Sequence, residues 1–175
     1  MIVLQTERLV LREVTPDDAP FILELLNDPG WLRYIGDKGV RNLDDARRYI
    51  LTGPMAMYAR HGFGLYVTTL KDGPSAIGLC GIIRRDGLAD PDIGFAFLPP
   101  YRGRGYAHEA AAATLAYGKQ RLRLGRIVAI TSPENERSAR LLGKLGLKFD
   151  SMIRLTPESD EVRLFAPTPP AGPTS

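Results

Sequence analysis

The sequence predicts a single mixed α/β domain, and three observations predict it. Stretches that alternate as strands are interleaved with stretches whose apolar residues recur at helical spacing, in the order strand, two helices, three strands, helix, strand, helix, two strands. The length of 175 residues suffices for one ordinary domain with a substantial core. A content of 44% hydrophobic and 25% charged residues is globular, neither disordered nor membrane-like. Residues 1–166 read as that domain and 167–175 as a flexible, proline-rich tail.

Residues 2–14 alternate as a first strand. Thr15, Pro16, Asp17 and Asp18 then supply an N-cap, a proline at the first helical position and early acidic residues, and Ala19, Ile22, Leu23 and Leu26 follow at helical spacing. Asn27 to Gly30 ends that helix. Asn42 opens a second, with Asp44 and Asp45 in its first turn; Gly53 and Pro54 interrupt it before a short segment to Arg60. Residues 63–70 and 76–85 are strands around the hairpin turn Lys71, Asp72, Gly73, Pro74. Residues 92–98 form a short apolar strand closed by Pro99 and Pro100. Ala107, Ala110, Ala111, Thr114, Leu115, Gly118 and Leu122 then mark a helix. Residues 126–131 read as a strand and 135–146 as a helix ended by glycine, before two last strands near 147–155 and 161–166.

The formal charge of +3 is modest, so local clusters matter more than the total. The clearest cluster gathers Lys119, Arg121, Arg123 and Arg126 at one helix end, where cations favour the macrodipole; no nucleic-acid partner is expected. No run of about 18 apolar residues and no basic-then-apolar leader is visible, so no membrane partner and a cytoplasmic location are expected. The lone cysteine, Cys80, excludes an intramolecular disulfide, and its apolar setting suggests a buried strand residue. His61 and His108 lie far apart with no second cysteine, so no metal site is expected.

The stretch with most chemical content runs from Tyr101 to Ala107, where a glycine turn joins a strand to a helix. Free backbone N–H groups converge there on the positive end of the helix macrodipole, which suits a phosphate or pyrophosphate. Gly103 and Gly105 let backbone approach closely, and Arg102 and Arg104 add charge; the alternative is that the glycines only make a tight turn. A dinucleotide fingerprint would need glycine or alanine where His108 stands, and no P-loop Gly-Lys-Ser/Thr is present.

Arg102, Gly105 and Ala107 fill a pattern, R/Q-x-x-G-x-G/A, that resembles the acetyl-coenzyme A motif of the GNAT acetyltransferases. Asn135, Ser138, Leu141, Lys144 and Gly146 are similar to the second block of that family, N-x-x-S/A-x-x-L-x-x-K-x-G-F/L. Residues 6–12 and 92–95 resemble signatures of the RimJ/RimL-like subgroup, which acetylates ribosomal-protein N-termini. The resemblance runs from residue 6 to residue 165 and implies a GNAT-like, mostly antiparallel central sheet of about seven strands flanked by about four helices. It further implies an acetyl-CoA-dependent N-acetyltransferase that moves acetyl directly to a primary amine, either a protein N-terminus or a small molecule. Acetyl-CoA (coenzyme A as carrier) would then pair with backbone groups near Phe97 and Leu98, its pyrophosphate would meet the amides of Arg102, Gly103, Arg104, Gly105, Tyr106 and Ala107, and Asn135 would flank the pantetheine arm. A backbone N–H of the strand would face the developing oxyanion.

Amide formation from a thioester requires a neutral amine, a polarised carbonyl and a proton for the departing thiolate. An α-amino group, with a pKa near ~8, needs only mild help at neutral pH. Asp92, where many relatives carry glutamate, is the candidate base, directly or through water; it reads equally as an exposed loop carboxylate. Glu24 is an alternative base, and Glu109 reads as a macrodipole partner. Many relatives carry a tyrosine seven residues after the asparagine, and this chain has Leu142 there, so Ser138 is the candidate to protonate the thiolate or orient a water. It reads equally as a helix serine bonded back to a carbonyl, and Asn135 doubles as N-cap. Trp31, Tyr34 and Tyr49 belong either to an acceptor groove or to the core. A non-catalytic acyl-CoA-binding sensor or sequestering module is the competing function. The acceptor, and the choice between monomer and homodimer, stay open at the level of sequence.

Overall fold

Two antiparallel sheets that meet at a single point organise the chain in the computed structural model, which describes residues 1–169. The larger sheet has the order β1-β2-β3-β4-β5, with β1 at Ile2–Gln5, β2 at Leu9–Glu13, β3 at Leu65–Leu70, β4 at Ala76–Ile83 and β5 at Asp92–Phe97. The smaller has the order β6-β8-β7, with β6 at Ala129–Thr131, β7 at Leu147–Ile153 and β8 at Val162–Pro167. The mixed, mostly antiparallel arrangement is the expected one. Eight strands rather than about seven arise because residues 2–14 are a hairpin. Its turn is closed by the Thr6 N–H on Leu9 C=O at 2.9 Å and by the Leu9 N–H on the Thr6 hydroxyl at 3.0 Å. Gln5 lies opposite Val10 and Leu4 opposite Leu11, so the inward-facing parity changes at the turn, and a second irregularity falls between Ile2 and Leu4.

The helices lie on both faces of the larger sheet. A short 3-10 turn at Pro16–Asp18 leads into α1 (Ala19–Leu26). Asp18 accepts from the Thr15 N–H at 2.9 Å and takes both ends of the Arg12 guanidinium at 2.9 and 2.8 Å, which ties this turn to β2. Asp28 accepts from the N–H groups of Gly30 and Trp31 and so starts α2 (Pro29–Tyr34), where the sequence reading saw only a helix end. Asn42 caps α3 (Leu43–Thr52) through the Asp45 N–H, and α4 (Pro54–His61) follows Gly53 directly. α5 (Tyr106–Gln120) covers the opposite face, and α6 (Glu136–Lys144) packs against β6 and β7 of the smaller sheet.

Because side chains alternate along a strand, β5 feeds two cores. Ala96 joins Ile22, Leu25, Leu26 and Ile50 of α1 and α3, whereas Ile93 and Phe97 join Ala110, Ala111 and Leu115 of α5. Burying a side chain such as Ile22 or Leu25 completely contributes about 1.5–3 kcal/mol, so α1 is held chiefly by this face. The sheets touch where Asp92 bridges Val128 in parallel; Ile93 N–H bonds Val128 C=O at 2.9 Å and Val128 N–H bonds Pro91 C=O at 3.0 Å. Beyond that bridge β6 pairs with β8, and the two strands part.

Pro167, expected as the first residue of the tail, is the last residue of β8 and lies opposite Leu147. Residues 170–175 of the expected tail lie outside the described residues. Among the described residues no helix is long and apolar enough to cross a membrane.

Candidate active site

The parting of β5 from β6 leaves an edge in the middle of the molecule. Ile93 spends its N–H on β6 and Leu98 spends its N–H on Ile77 of the β4 side, at 2.9 Å each. Strand alternation therefore puts the N–H groups of Phe95 and Phe97 on the edge that β6 has left. Gly94, Phe95 and Ala96 are half-buried although they lie inside a sheet. Leu98, expected to offer backbone pairing to the cosubstrate, gives its N–H to the β4 side instead; Phe95, which the sequence reading did not name, presents its N–H to the open edge. The missing information was register, since alternation gives parity but not which edge looks toward β4.

At the end of this edge the chain turns through Gly103 at φ +74° and Gly105 at φ +82°, both in the left-handed region that glycine tolerates. The first helical hydrogen bond of α5 runs from Glu109 N–H to Gly105 C=O at 3.0 Å. Among the described residues the amides of Gly103, Arg104, Gly105, Tyr106, Ala107 and His108 thus have no protein acceptor. They form a cradle of donors at the positive end of a 15-residue helix.

Arg102 does not add charge to that cradle, contrary to expectation. Its amide bonds Pro99 C=O at 3.2 Å, and its guanidinium turns back to Phe97 C=O at 2.9 Å and to the buried Asp28 at 2.6 Å. Arg104 is exposed and, among the described residues, has no ion-pair partner. The structure instead brings Arg8, from the β1–β2 turn, over the loop. Its guanidinium donates to Arg104 C=O at 3.1 Å and to Glu109 at 2.7 Å, stacks on Tyr106 at 4.4 Å from the ring centre, and lies 3.3 Å from where a Cβ on Gly105 would sit. Glu109 also accepts from the Thr6 hydroxyl at 2.8 Å and the Arg8 N–H at 2.9 Å, and these bonds hold its carboxyl below the usual range against the opposing effect of burial.

Across the gap, Asn135 caps α6 by accepting from the Ser138 N–H at 3.1 Å. The Ser138 hydroxyl makes no bond back to a carbonyl and, among the described residues, has no protein partner; it is half-buried. Leu142 is fully buried in the core.

Asp92 lies on the other face of β5, and it is neither exposed nor free. It is 1% exposed and both its oxygens accept from Arg85, Nε and Nη2 each at 2.9 Å. Burial pushes its carboxyl above the ordinary value while Arg85 pulls it down. As a base it would have to give up a bidentate guanidinium, so the expectation of a free carboxylate is corrected. Two positions along the same face, a Cβ on Gly94 would meet only Leu65 Cδ2 at 3.7 Å, so the face is open there. Glu24 is exposed on α1. Trp31 is core, with its indole N–H unpartnered among the described residues, and Tyr49 is half-buried beside Arg85, its hydroxyl pushed up to about 12 by desolvation. Tyr34 stacks under Arg33 at 4.9 Å. No group of three potential metal-ligating side chains occurs among the described residues.

Comparison with known proteins shows the family of this chain. The acetyltransferase (GNAT) domain matches residues 8–148. The uncharacterized N-acetyltransferase YnaD of Bacillus subtilis (strain 168) is 30% identical over 151 residues, which cover 86% of this chain and 85% of that protein. Among solved structures, the GNAT-family acetyltransferase from Bacillus anthracis is 28% identical with a TM-score of 0.77, covering 95% of this chain and 97% of its own. RimL, a ribosomal L7/L12 α-N-protein acetyltransferase solved in complex with coenzyme A, shares the fold at a TM-score of 0.79 and 15% identity, covering 95% and 97%.

Proposed function

Because this chain belongs to the GNAT acetyltransferases and is an N-acetyltransferase, we propose that it passes the acetyl group of acetyl-CoA, the cosubstrate typical of that family, directly to a primary amine in the gap between β5 and β6. The observation that carries this reading is the unpaired edge of β5, followed by a glycine loop whose amides have no protein acceptor among the described residues. The amides from Gly103 to Ala107, helped by Arg8, hold a pyrophosphate. The N–H groups of Phe95 and Phe97 receive amide carbonyls of the pantetheine arm and the oxyanion of the tetrahedral intermediate. The side-chain amide of Asn135 orients the same arm.

In the transfer a C–N bond forms and a C–S bond breaks; the amine loses a proton and the thiolate gains one. The Ser138 hydroxyl is the donor on the thiolate side, directly or through water. On the amine side solution does most of the work when the acceptor is an α-amine, whose pKa lies near ~8. Asp92 is assigned to holding Arg85 rather than to proton removal. A protein N-terminus or a small-molecule amine both fit, and the RimL neighbour supports keeping the former in view. A cytoplasmic setting accords with a chain whose single cysteine is a buried thiol. The test is release of free CoA thiol with a panel of primary amines. Amine-dependent release with an N-acetylated product is expected, whereas tight acetyl-CoA binding without release would make the chain a sensor or sequestering module.

A further inference from the structure

A surface pocket of about 350 Å³ lies between α4 and the turn after β4, and Arg85 on its wall bonds Asp92 of β5. Arg60, His61, Arg84 and Arg85 line it against a single carboxylate, Asp86, with Met57 as apolar wall. Arg60 and Arg84 are exposed and have no ion-pair partner among the described residues. His61 is held by stacking on Phe63 at 5.8 Å between ring centres. Arg85 links the pocket to the strand: Nε and Nη2 grip Asp92, while Nη1 has no protein acceptor among the described residues. Asp92 and Gly94 are two positions apart on one pleated face, roughly 7 Å. Through Arg85 the cationic pocket is therefore joined to the face of β5 that is open at Gly94.

Resting on the acetyltransferase reading above, we propose that this pocket receives an anionic group of the acceptor, so that the substrate is a primary amine bearing a carboxylate or phosphate. Guanidinium groups pair with either anion in the same forked geometry, and the buried Asp92 fixes the orientation of the one nearest the strand. The pocket disfavours polyamines and other polycations, which would bring like charge against Arg60 and Arg84.

The experiment compares thiol release for matched acceptors: a glutamate-containing dipeptide against its glutamine and lysine counterparts, and phosphoethanolamine against ethanolamine. Each is run with the parent protein and with Arg60→Gln/Arg84→Gln. The expected result is that KM for the anionic members rises roughly tenfold or more in the double variant, while KM for the neutral members changes little. Calorimetry with the same compounds on the CoA-loaded protein reads the pocket without turnover. Release that is as efficient with neutral or lysine acceptors, or binding that ignores the acceptor's charge and the double variant, overturns the proposal while leaving the acetyltransferase reading intact. Loss of thiol release with every amine would count against that reading alone, and anion-dependent binding would still decide the pocket.

Discussion

The two ends of β5 are fastened by the same chemistry, a buried aspartate and a partly exposed arginine, and yet one end is shut and the other open. At the start, Asp92 is 1% and Arg85 33% exposed by side chain, the pair is bidentate, and the bridge to Val128 seals the strand against β6. At the end, Asp28 is 6% and Arg102 31% exposed, and the guanidinium is shared between that carboxylate and Phe97 C=O. Taking the carbonyl of Phe97 out of play leaves its N–H as the available group at the tip of the edge. The difference teaches that the arginines decide what the strand offers: Arg85 completes a closed structure, whereas Arg102 shapes an open one by removing an acceptor from a row meant to donate.

Breaking the closed end should cost most in stability. Arg85→Ala leaves the Asp92 carboxylate buried without its partner, and about 2–3 kcal/mol is expected after allowing for the arginine's exposure, or a fall in Tm of roughly 5–10 °C. The pH dependence follows from the sign of the shift. A carboxyl whose folded pKa is raised costs stability above its unfolded value, near ~3.9, and the cost fades as pH falls toward that value. Urea midpoints at neutral and mildly acidic pH should therefore converge between variant and parent; an equal deficit at both would show that Asp92 is not the source. Asp92→Asn should give a kcat/KM profile parallel to the parent's across pH, and a selective loss at low pH would restore it as a base.

At the open end the loop comes next. Gly105→Asp should weaken acetyl-CoA binding at least roughly tenfold in calorimetry, since a carboxylate would face the phosphate approach. Gly105→Ala is the control without the added charge: it carries the backbone strain at positive φ, about 1–2 kcal/mol, and the crowding of Arg8 by the new Cβ. A smaller effect separates the two arginines near the loop. Arg8→Met should lower affinity by roughly fivefold and flatten its salt dependence, while Arg102→Met should leave affinity within about twofold and instead lower stability by about 1–2 kcal/mol, through the stranded Asp28. The opposite pattern would return Arg102 to the phosphate. Least of all, Asn135→Ala should cost about 1 kcal/mol as a lost cap and Ser138→Ala under about 0.5 kcal/mol, read by thermal melts. A drop in turnover beyond those losses is expected if they act on the thioester as proposed, and normal turnover in the folded variants would leave them as cap and surface residues only.

Much of this was legible from residues alone, and what was not has definite causes. The caps at Asn42 and Asn135 and the strand, glycine turn, helix order around Gly103 and Gly105 are local signals, each set within one turn of chain. α2 was hidden because Asp28 and Pro29 serve as readily to stop a helix as to start one. Arg102 sits in its motif as expected, but which way a long side chain turns depends on Asp28, a partner 74 residues away. Arg8 reaches Glu109 over a separation of 101 residues, and Arg85 meets Asp92 only because the turn after β4 folds back. Such pairs leave no periodicity for a sequence to display.

Cys80 has a consequence for how the enzyme can be watched. Its Sγ lies 3.5 Å from the Thr114 hydroxyl inside the core, and burial pushes the thiol up to about 12, so almost none of it is thiolate at neutral pH. Disulfide dyes react with thiolates. The folded protein is therefore dark to them, and colour in a turnover assay counts released coenzyme A alone. Without acetyl-CoA the same dye becomes a clock for the opening of the β4–α5 core, because one equivalent of colour per chain appears only as that core comes apart.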